Sequence, residues 1–81
     1  MSACVYILRC GDGTLYTGWT VDVERRLAQH RSGRGGRYTR SHLPVELVYR
    51  EECPTRVGAM RREWEIKRMP RGAKLALIRG E

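Results

Sequence analysis

The sequence predicts an α/β (α+β) fold in which a three-stranded antiparallel sheet is flanked by three helices, in the order β-β-α-β-α-α. Two runs rich in β-forming residues lie on either side of Gly11-Asp12-Gly13, which predicts a hairpin. Apolar residues at helical spacing follow the capping residues Asp22 and Thr55. A chain of 81 residues is enough for one small domain, so we expect residues 1–81 to form a single domain.

The strands of the hairpin are predicted over residues 3–9 and 14–19. A three-residue loop between them places Tyr6 and Tyr16 on one face of the sheet, whereas a two-residue loop would place them on opposite faces. We expect the longer loop, with Gly13 in the left-handed conformation, since only that register lets both hydroxyls serve one site.

The first helix is predicted from Asp22, its N-cap, to about His30. At about 100° per residue, Arg26 and His30 lie beside its apolar seam, whereas Arg25 points nearly the opposite way. We therefore expect Arg26 to present its guanidinium at the sheet and Arg25 to be a solvent-side charge.

A basic segment, residues 31–42, follows and is predicted to be an exposed, mobile loop because glycines separate its arginines. After Pro44, the third strand is predicted over residues 45–50. The loop is either a solvated charged segment or a phosphate clamp with one stacking ring. We expect its basic and aromatic side chains to bind nucleic acid, namely Arg31, Arg34, Arg37, Tyr38 and Arg40.

The second helix is predicted from Thr55, its N-cap, through Arg68, and a terminal helix is predicted to begin at Pro70. About half of the circumference of the second helix is apolar, and we expect this arc to face the core. It comprises Val57, Ala59, Met60, Trp64 and Ile66.

Glu63 falls inside the apolar arc of that helix, whereas Glu65 falls outside it. A carboxylate on a core-facing stripe is costly unless a cation or hydrogen-bond donors compensate it. Glu63 is therefore either a functional acid or one half of a buried salt bridge to Arg26 or Arg62.

The composition favours a polyanionic partner, since 16 Lys and Arg residues outnumber 9 Asp and Glu residues and give a net charge of +7.

Cys4, Cys10 and Cys53 lack CxxC spacing, so we expect reduced thiols rather than disulfides or a zinc site. No apolar run is long enough to cross a bilayer, and no signal-peptide pattern opens the chain. We expect a soluble, cytoplasmic protein without membrane contact.

Tyrosines, an arginine and a glutamate together resemble the pattern of the GIY-YIG nuclease family. Cys4-Val5-Tyr6 and Tyr16-Thr17-Gly18 are similar to the two triplets that name the family. Arg26 follows ten residues after the second tyrosine, and Glu63 stands in a segment similar to the helix that carries the family's metal-binding glutamate. The resemblance covers nearly the whole chain and is closest to the short, single-domain bacterial members of UPF0213 type. Trp19 departs from the pattern, since several members carry lysine there.

The resemblance implies a metal-dependent endonuclease that hydrolyses phosphodiester bonds in DNA, with RNA left open and with a link to structure-selective repair or processing. It implies one Mg²⁺ or Mn²⁺ ion held by Glu63, and either tyrosine as the base or water-orienting group. The catalytic residues so implied are Tyr6, Tyr16, Arg26, His30 and Glu63. The alternatives are a non-catalytic nucleic-acid-binding module and an adaptor for a repair protein. We expect a monomer or a weak homodimer.

Overall fold

The computed structural model describes residues 2–81, and the predicted α+β fold is confirmed. One additional short helix lies between the first helix and the third strand, so the order is β-β-α-α-β-α-α. The elements are β1 (Ala3–Arg9), β2 (Leu15–Thr20), α1 (Val23–Arg31), α2 (Arg37–Ser41), β3 (Glu46–Cys53), α3 (Arg56–Lys67) and α4 (Arg71–Arg79).

The sheet has the order β2-β1-β3, and both pairings are antiparallel. Tyr6 lies opposite Gly18, and Leu8 lies opposite Tyr16, so the two tyrosines share one face of the sheet. Gly13 adopts the left-handed conformation with φ of 86°. The predicted three-residue loop and its register are therefore confirmed.

The central strand β1 is buried on both of its faces, which divides the core into two clusters. On one face, Val5 and Ile7 pack with Ala59 and Ile66 of α3, and side chains of α4 complete this cluster. The cluster on the other face contains Tyr6, Leu8, Cys10 and Val45, with Tyr16, Leu27 and Leu47 packed against it. Leu27 brings α1 to this second face, where Tyr6, Tyr16 and His30 meet, whereas α3, which carries Glu63, packs against the first face.

Side-chain caps fix where α1 and α3 begin. The Asp22 carboxylate accepts a hydrogen bond from the Arg25 amide at 3.1 Å, and the Thr55 hydroxyl accepts one from the Gly58 amide at 3.0 Å. Both caps agree with the sequence prediction. They matter for the site because the start of a helix decides which of its residues face the sheet.

The prediction of a loop over residues 31–42 is wrong in part, because residues Arg37–Ser41 form α2. Gly36 precedes the helix with φ of 150°, a conformation that favours glycine. Thr39 is fully buried, and the Tyr38 hydroxyl donates to Thr14 Oγ1 at 2.5 Å. These contacts tie α2 to α1 and to the β1–β2 hairpin, while its arginines remain exposed.

The prediction of the buried face of α3 is also wrong in part. Val57, Met60 and Trp64 are 66%, 50% and 59% exposed, and the Arg68 guanidinium lies 4.5 Å from the centre of the Trp64 ring. The side that meets the sheet carries side chains at i, i+3, i+4 and i+7, namely Ala59, Arg62, Glu63 and Ile66. Glu63 therefore faces inward, but between Ala59 and Ile66 rather than among the larger apolar residues.

Candidate active site

Tyr6 lies at the centre of the candidate site. Its ring fits there because Gly18, the residue opposite it on β2, has no side chain. A Cβ atom on Gly18 would lie 2.6 Å from the Tyr6 hydroxyl oxygen, so the phenol ring passes directly over the glycine. The Tyr6 ring is buried, and its hydroxyl lies 3.0 Å from Nε2 of His30. The sheet thus delivers the hydroxyl to α1.

His30 is fully buried, and both of its ring nitrogens have partners. Nε2 lies at 3.0 Å from the Tyr6 hydroxyl, and Nδ1 lies 2.8 Å from Oγ1 of Thr39 in α2. Burial, with a smaller contribution from the Arg26 charge, lowers the pKa of His30 from 6.5 to about 4. The imidazole is therefore neutral at pH 7 and can accept a hydrogen bond.

Burial and several nearby groups shift the pKa of Tyr6. Burial is the largest influence and raises this pKa above its ordinary value. The Arg26 guanidinium lowers it, whereas the Glu63 carboxylate, and the Tyr16 phenol when ionised, raise it. The charges that influence Tyr6 therefore come from the sheet, from α1 and from α3.

Tyr16 connects the buried pair to the surface through a series of rings. Its ring centre lies 5.3 Å from that of His30 in an edge-on arrangement and 6.2 Å from that of Tyr38 in a stacked one. Tyr38 in turn stacks on His42 at 4.2 Å. The His42 Nε2 atom lies 3.4 Å from a carboxylate oxygen of Asp12 in the hairpin loop. Aromatic surface therefore extends from the Tyr6 site to the exposed edge of α2.

Arg26 is half-buried and held in place at the edge of the site, whereas its neighbour Arg25 is exposed. Nη1 of Arg26 donates to the Gln29 side chain at 3.0 Å, and Nη2 donates to the Gly35 carbonyl at 2.6 Å. Because two bonds fix the guanidinium, its charge is oriented before any ligand binds.

The basic segment surrounds a shallow cleft of about 460 Å³. The cleft is lined by Gly33, Arg34, Gly36, Arg37 and Arg40. Three guanidinium groups on a concave surface provide the planar donor geometry that suits phosphate oxygens. Arg31 is exposed on the last turn of α1 and does not line this cleft.

Comparison with known proteins identifies the family. A family model for the GIY-YIG catalytic domain matches residues 2–74. The chain belongs to the GIY-YIG nuclease superfamily. The match includes both tyrosines, the arginine of α1 and the glutamate of α3 described above.

Similar proteins from bacteria and archaea carry the name UPF0213 protein. The UPF0213 protein of Streptococcus sanguinis (strain SK36) is 52% identical over 77 residues, which are 95% of this chain and 88% of that protein. The UPF0213 protein NP_0776A of Natronomonas pharaonis is 51% identical over 77 residues, which are 95% of this chain and 91% of that protein. The resemblance to UPF0213 members is thereby confirmed.

Two solved structures have the same fold. The solution structure of the UPF0213 protein BH0048 from Bacillus halodurans superimposes with a TM-score of 0.65 at 44% identity, and covers 100% of this chain and 86% of that one. The solution structure of protein EF2693 from E. faecalis gives a TM-score of 0.66 at 36% identity, covering 99% of this chain and 85% of that one.

GIY-YIG nucleases generally use divalent metal ions, and Glu63 offers the ligand chemistry for one. Its side chain is 22% exposed, against 51% for Glu65. Lys67 Nζ lies 3.8 Å from a carboxylate oxygen of Glu63, so the ion pair of Glu63 is with Lys67 and not with Arg26 or Arg62, the alternative that the sequence left open. Arg62 instead donates to both carboxylate oxygens of Glu51 at 3.1 and 3.2 Å.

This donor set fits an ion that keeps most of its water. Within residues 2–81, no group of three or more His, Cys, Asp or Glu side chains is placed to hold a metal. Magnesium binds through one or two carboxylates together with waters and substrate phosphates, so a single carboxylate is compatible with it. A caged zinc or calcium site does not fit these residues.

Sequence reasoning missed Thr39 and Gly35, which contact the site from the basic segment. A Cβ atom on Gly35 would lie 2.3 Å from Nδ1 of His30, and Thr39 binds the same nitrogen. The signal that could have found them is the pair Gly35-Gly36, which marks a close approach of the backbone and the start of a helix. Residues 37–41 have no apolar periodicity, so nothing else in the segment predicts α2.

Cys4, Cys10 and Cys53 are buried free thiols. Among residues 2–81, no helix has both the length and the apolar character that a membrane span requires.

Proposed function

We propose that this protein is a metal-dependent GIY-YIG endonuclease that hydrolyses phosphodiester bonds in DNA, with Tyr6, Tyr16, Arg26, His30 and Glu63 as its catalytic residues. The observation that carries the proposal is the position of Tyr6, which is hydrogen-bonded to His30 and shares one face of the sheet with Tyr16. A phenol, a neutral imidazole, a fixed guanidinium and a carboxylate provide the groups that phosphodiester hydrolysis requires.

Arg26 is proposed to bind a non-bridging oxygen of the scissile phosphate. Charge grows on these oxygens as water attacks, and a guanidinium that is already oriented by Gly35 and Gln29 stabilises this charge with little rearrangement. Glu63 is proposed to hold a single Mg²⁺ or Mn²⁺ ion with the help of water and phosphate. Such an ion would supply Lewis acidity toward the phosphate and the leaving oxygen.

Tyr6 is proposed to orient the attacking water and to pass a proton to His30. Water loses a proton to the Tyr6 oxygen as Tyr6 gives its own proton to Nε2 of His30, so the phenol stays neutral. The hydroxide oxygen forms a bond to phosphorus, and the P–O bond to the leaving group breaks. That oxygen leaves with the bonding pair and takes a proton from solvent, and the buried His30 returns its proton through the Tyr6 hydroxyl. Tyr16 remains the alternative water-orienting group, since it also contacts His30.

DNA is proposed as the substrate because three arginines line a cleft in the basic segment and could contact phosphates, namely Arg34, Arg37 and Arg40. Arg31, Arg34, Arg37 and Arg40 would bind phosphates, and Tyr38 would offer a stacking surface. RNA presents the same phosphates, so a panel of labelled nicked duplexes, flaps, forks and RNA strands tests the choice. A preference for branched or nicked DNA would support a role in repair.

The experiment that tests catalysis uses two pairs of neighbouring residues. Glu63→Gln and Arg26→Ala should each reduce magnesium-dependent cleavage by about a hundredfold or more, the cost of removing a preorganised catalytic group. Glu65→Gln and Arg25→Ala change the same residue types on the solvent side and should retain activity. Equal cleavage by all four variants would point to a contaminating nuclease and remove the proposal.

The second candidate is a non-catalytic nucleic-acid-binding module, which the basic cleft alone would support. DNA binding by the wild-type protein without turnover on any substrate of the panel, with magnesium or manganese, would favour it. Capture of a repair protein by such a module would favour an adaptor. We further propose that residues 1–81 act as one domain in the cytoplasm, a reducing compartment that suits three free thiols.

A further inference from the structure

Thr39 is a buried hydroxyl that the proposed catalytic set does not use. It is fully buried in α2, and its Oγ1 lies 2.8 Å from Nδ1 of His30. We infer that Thr39 is a positioning residue that holds His30 in the tautomer with the proton on Nδ1, which leaves the Nε2 lone pair facing the Tyr6 hydroxyl. The catalytic consequence of this inference rests on the proposed function, whereas the tautomer itself does not.

The hydrogen bonds of Thr39 decide which ring nitrogen of His30 donates and which accepts. Its hydroxyl can donate to the Gly36 carbonyl, which lies 3.5 Å away in the preceding turn. The lone pairs of Oγ1 are then free to accept a hydrogen bond from Nδ1–H of His30. With its proton on Nδ1, a neutral imidazole can only accept at Nε2.

The partner of Nε2 agrees with this direction. A phenol is a much stronger acid than a neutral imidazole N–H, so the Tyr6 hydroxyl is the better donor of the two groups. In this series of hydrogen bonds, Tyr6 donates to His30, His30 donates to Thr39, and Thr39 donates to the Gly36 carbonyl. In free neutral imidazole the proton favours Nε2, so the protein must supply the preference for Nδ1, and Thr39 is the group that contacts this nitrogen.

The surroundings of His30 keep this arrangement rigid. Gly35 packs directly against the ring, since a Cβ there would lie 2.3 Å from Nδ1. The groups that face the imidazole are Tyr6 and Tyr16 from the sheet, Arg26 from α1 and Thr39 from α2. The Gly35 carbonyl also accepts a hydrogen bond from Arg26. The same turn of backbone therefore orients both the guanidinium and the imidazole.

Nitrogen NMR of histidine tests the inference directly. The chain has 2 histidines, so a His42→Gln variant identifies the signals of His30 in protein labelled with ¹⁵N at histidine. At neutral pH, the wild-type protein and Thr39→Ser should show a protonated Nδ1 and an unprotonated Nε2. Thr39→Val removes the acceptor at similar volume and should move the proton toward Nε2.

Cleavage gives a second measurement on the same variants. Thr39→Val should lose about tenfold to a hundredfold in rate, at the lower end of what general acid–base catalysis contributes, whereas Thr39→Ser should restore most of it. An Nε2-protonated tautomer in the wild-type protein, or an unchanged tautomer in folded Thr39→Val, would overturn the inference. If Thr39→Val does not fold, Thr39→Ala also lacks the hydroxyl, and its tautomer decides in the same way. If no variant cleaves DNA, the proposed function fails while the tautomer result stands on its own.

Discussion

At the scale of single residues, the site depends on two places where a side chain is missing. Gly18 makes room for the Tyr6 ring, and Gly35 makes room for the His30 ring. Neither position requires a left-handed backbone, so the reason for glycine at each is steric. The two glycines allow a strand and a turn to approach closely enough for a 3.0 Å contact between Tyr6 and His30.

Gly18→Ala should therefore displace Tyr6. The new Cβ would lie 2.6 Å from the phenol oxygen and 2.7 Å from Cζ, so the ring must move away from His30. Overpacking of this kind costs about 1–3 kcal/mol of unfolding free energy, and we expect cleavage to fall at least tenfold as well. Urea unfolding and cleavage assays measure both effects.

Gly72→Ala is the matched control for this substitution. Gly72 lies in α4 with no heavy atom near its Cβ direction, and alanine there should stabilise the helix by about 0.5–1 kcal/mol. An unchanged urea midpoint and unchanged cleavage in Gly18→Ala would show that Tyr6 does not need the space above this glycine.

At the scale of elements, α3 has one side that packs in the core and an opposite side that is exposed to solvent. Ile66 is fully buried in the core, whereas Val57 is 66% exposed on the opposite side. Ile66→Ala should cost about 2–5 kcal/mol of unfolding free energy through lost burial and the resulting cavity. Val57→Ala should change this free energy by less than about 0.5 kcal/mol. Comparable losses for the two variants in thermal or urea unfolding would contradict the orientation of the helix.

The same elements show which features of the fold could be predicted from the sequence. Turn chemistry and strand patterning predicted the β1–β2 hairpin, because both depend on neighbouring residues. They left two loop lengths open, and the correct register followed from the expectation that Tyr6 and Tyr16 serve one site. Helical periodicity separated Arg26 from Arg25 and Glu63 from Glu65, since these differences are local to one helix. Helical periodicity wrongly placed Trp64 in the core, because the sheet covers only a narrow stripe of the surface of α3 and Trp64 lies outside that stripe.

The contacts made by α2 could not be predicted in this way. Thr39 meets His30 through tertiary packing nine residues away in the chain, and a five-residue helix has too few turns to show periodicity. The glycines that allow this packing are visible in the sequence, but the group that they approach is not. The candidate site was thus predictable in its residue types and incomplete in the residues that orient them.

At the scale of the whole molecule, the buried His30 should make stability depend on pH. Its pKa falls from 6.5 to about 4 on folding, so the unfolded chain binds more protons between these values. This contribution is fully present above pH 6.5 and is lost as the pH falls toward 4. It amounts to about 3 kcal/mol of unfolding free energy, at about 1.4 kcal/mol per pKa unit.

Urea unfolding of His30→Gln across the same pH range measures this contribution. The variant should lose less stability than the wild-type protein between pH 6.5 and pH 4, because glutamine does not titrate. His42→Gln removes the other, partly exposed histidine and should keep the contribution of His30. Identical pH dependence in His30→Gln and the wild-type protein would mean that the imidazole titrates normally in the folded state.

The net charge of +7 and the arginine-lined cleft should make DNA binding sensitive to salt. Each phosphate neutralised on duplex DNA contributes about 0.9 to the slope of log K against log salt concentration. The double variant Arg37→Ala/Arg40→Ala should therefore bind more weakly and lower this slope by about 1.8, if each side chain binds one phosphate. Arg79→Ala is the control, because this arginine pairs with Glu81 at the end of α4 and does not line the cleft. Fluorescence anisotropy over a range of salt concentrations gives both slopes, and equal reductions in the two proteins would indicate a general effect of charge rather than binding at α2.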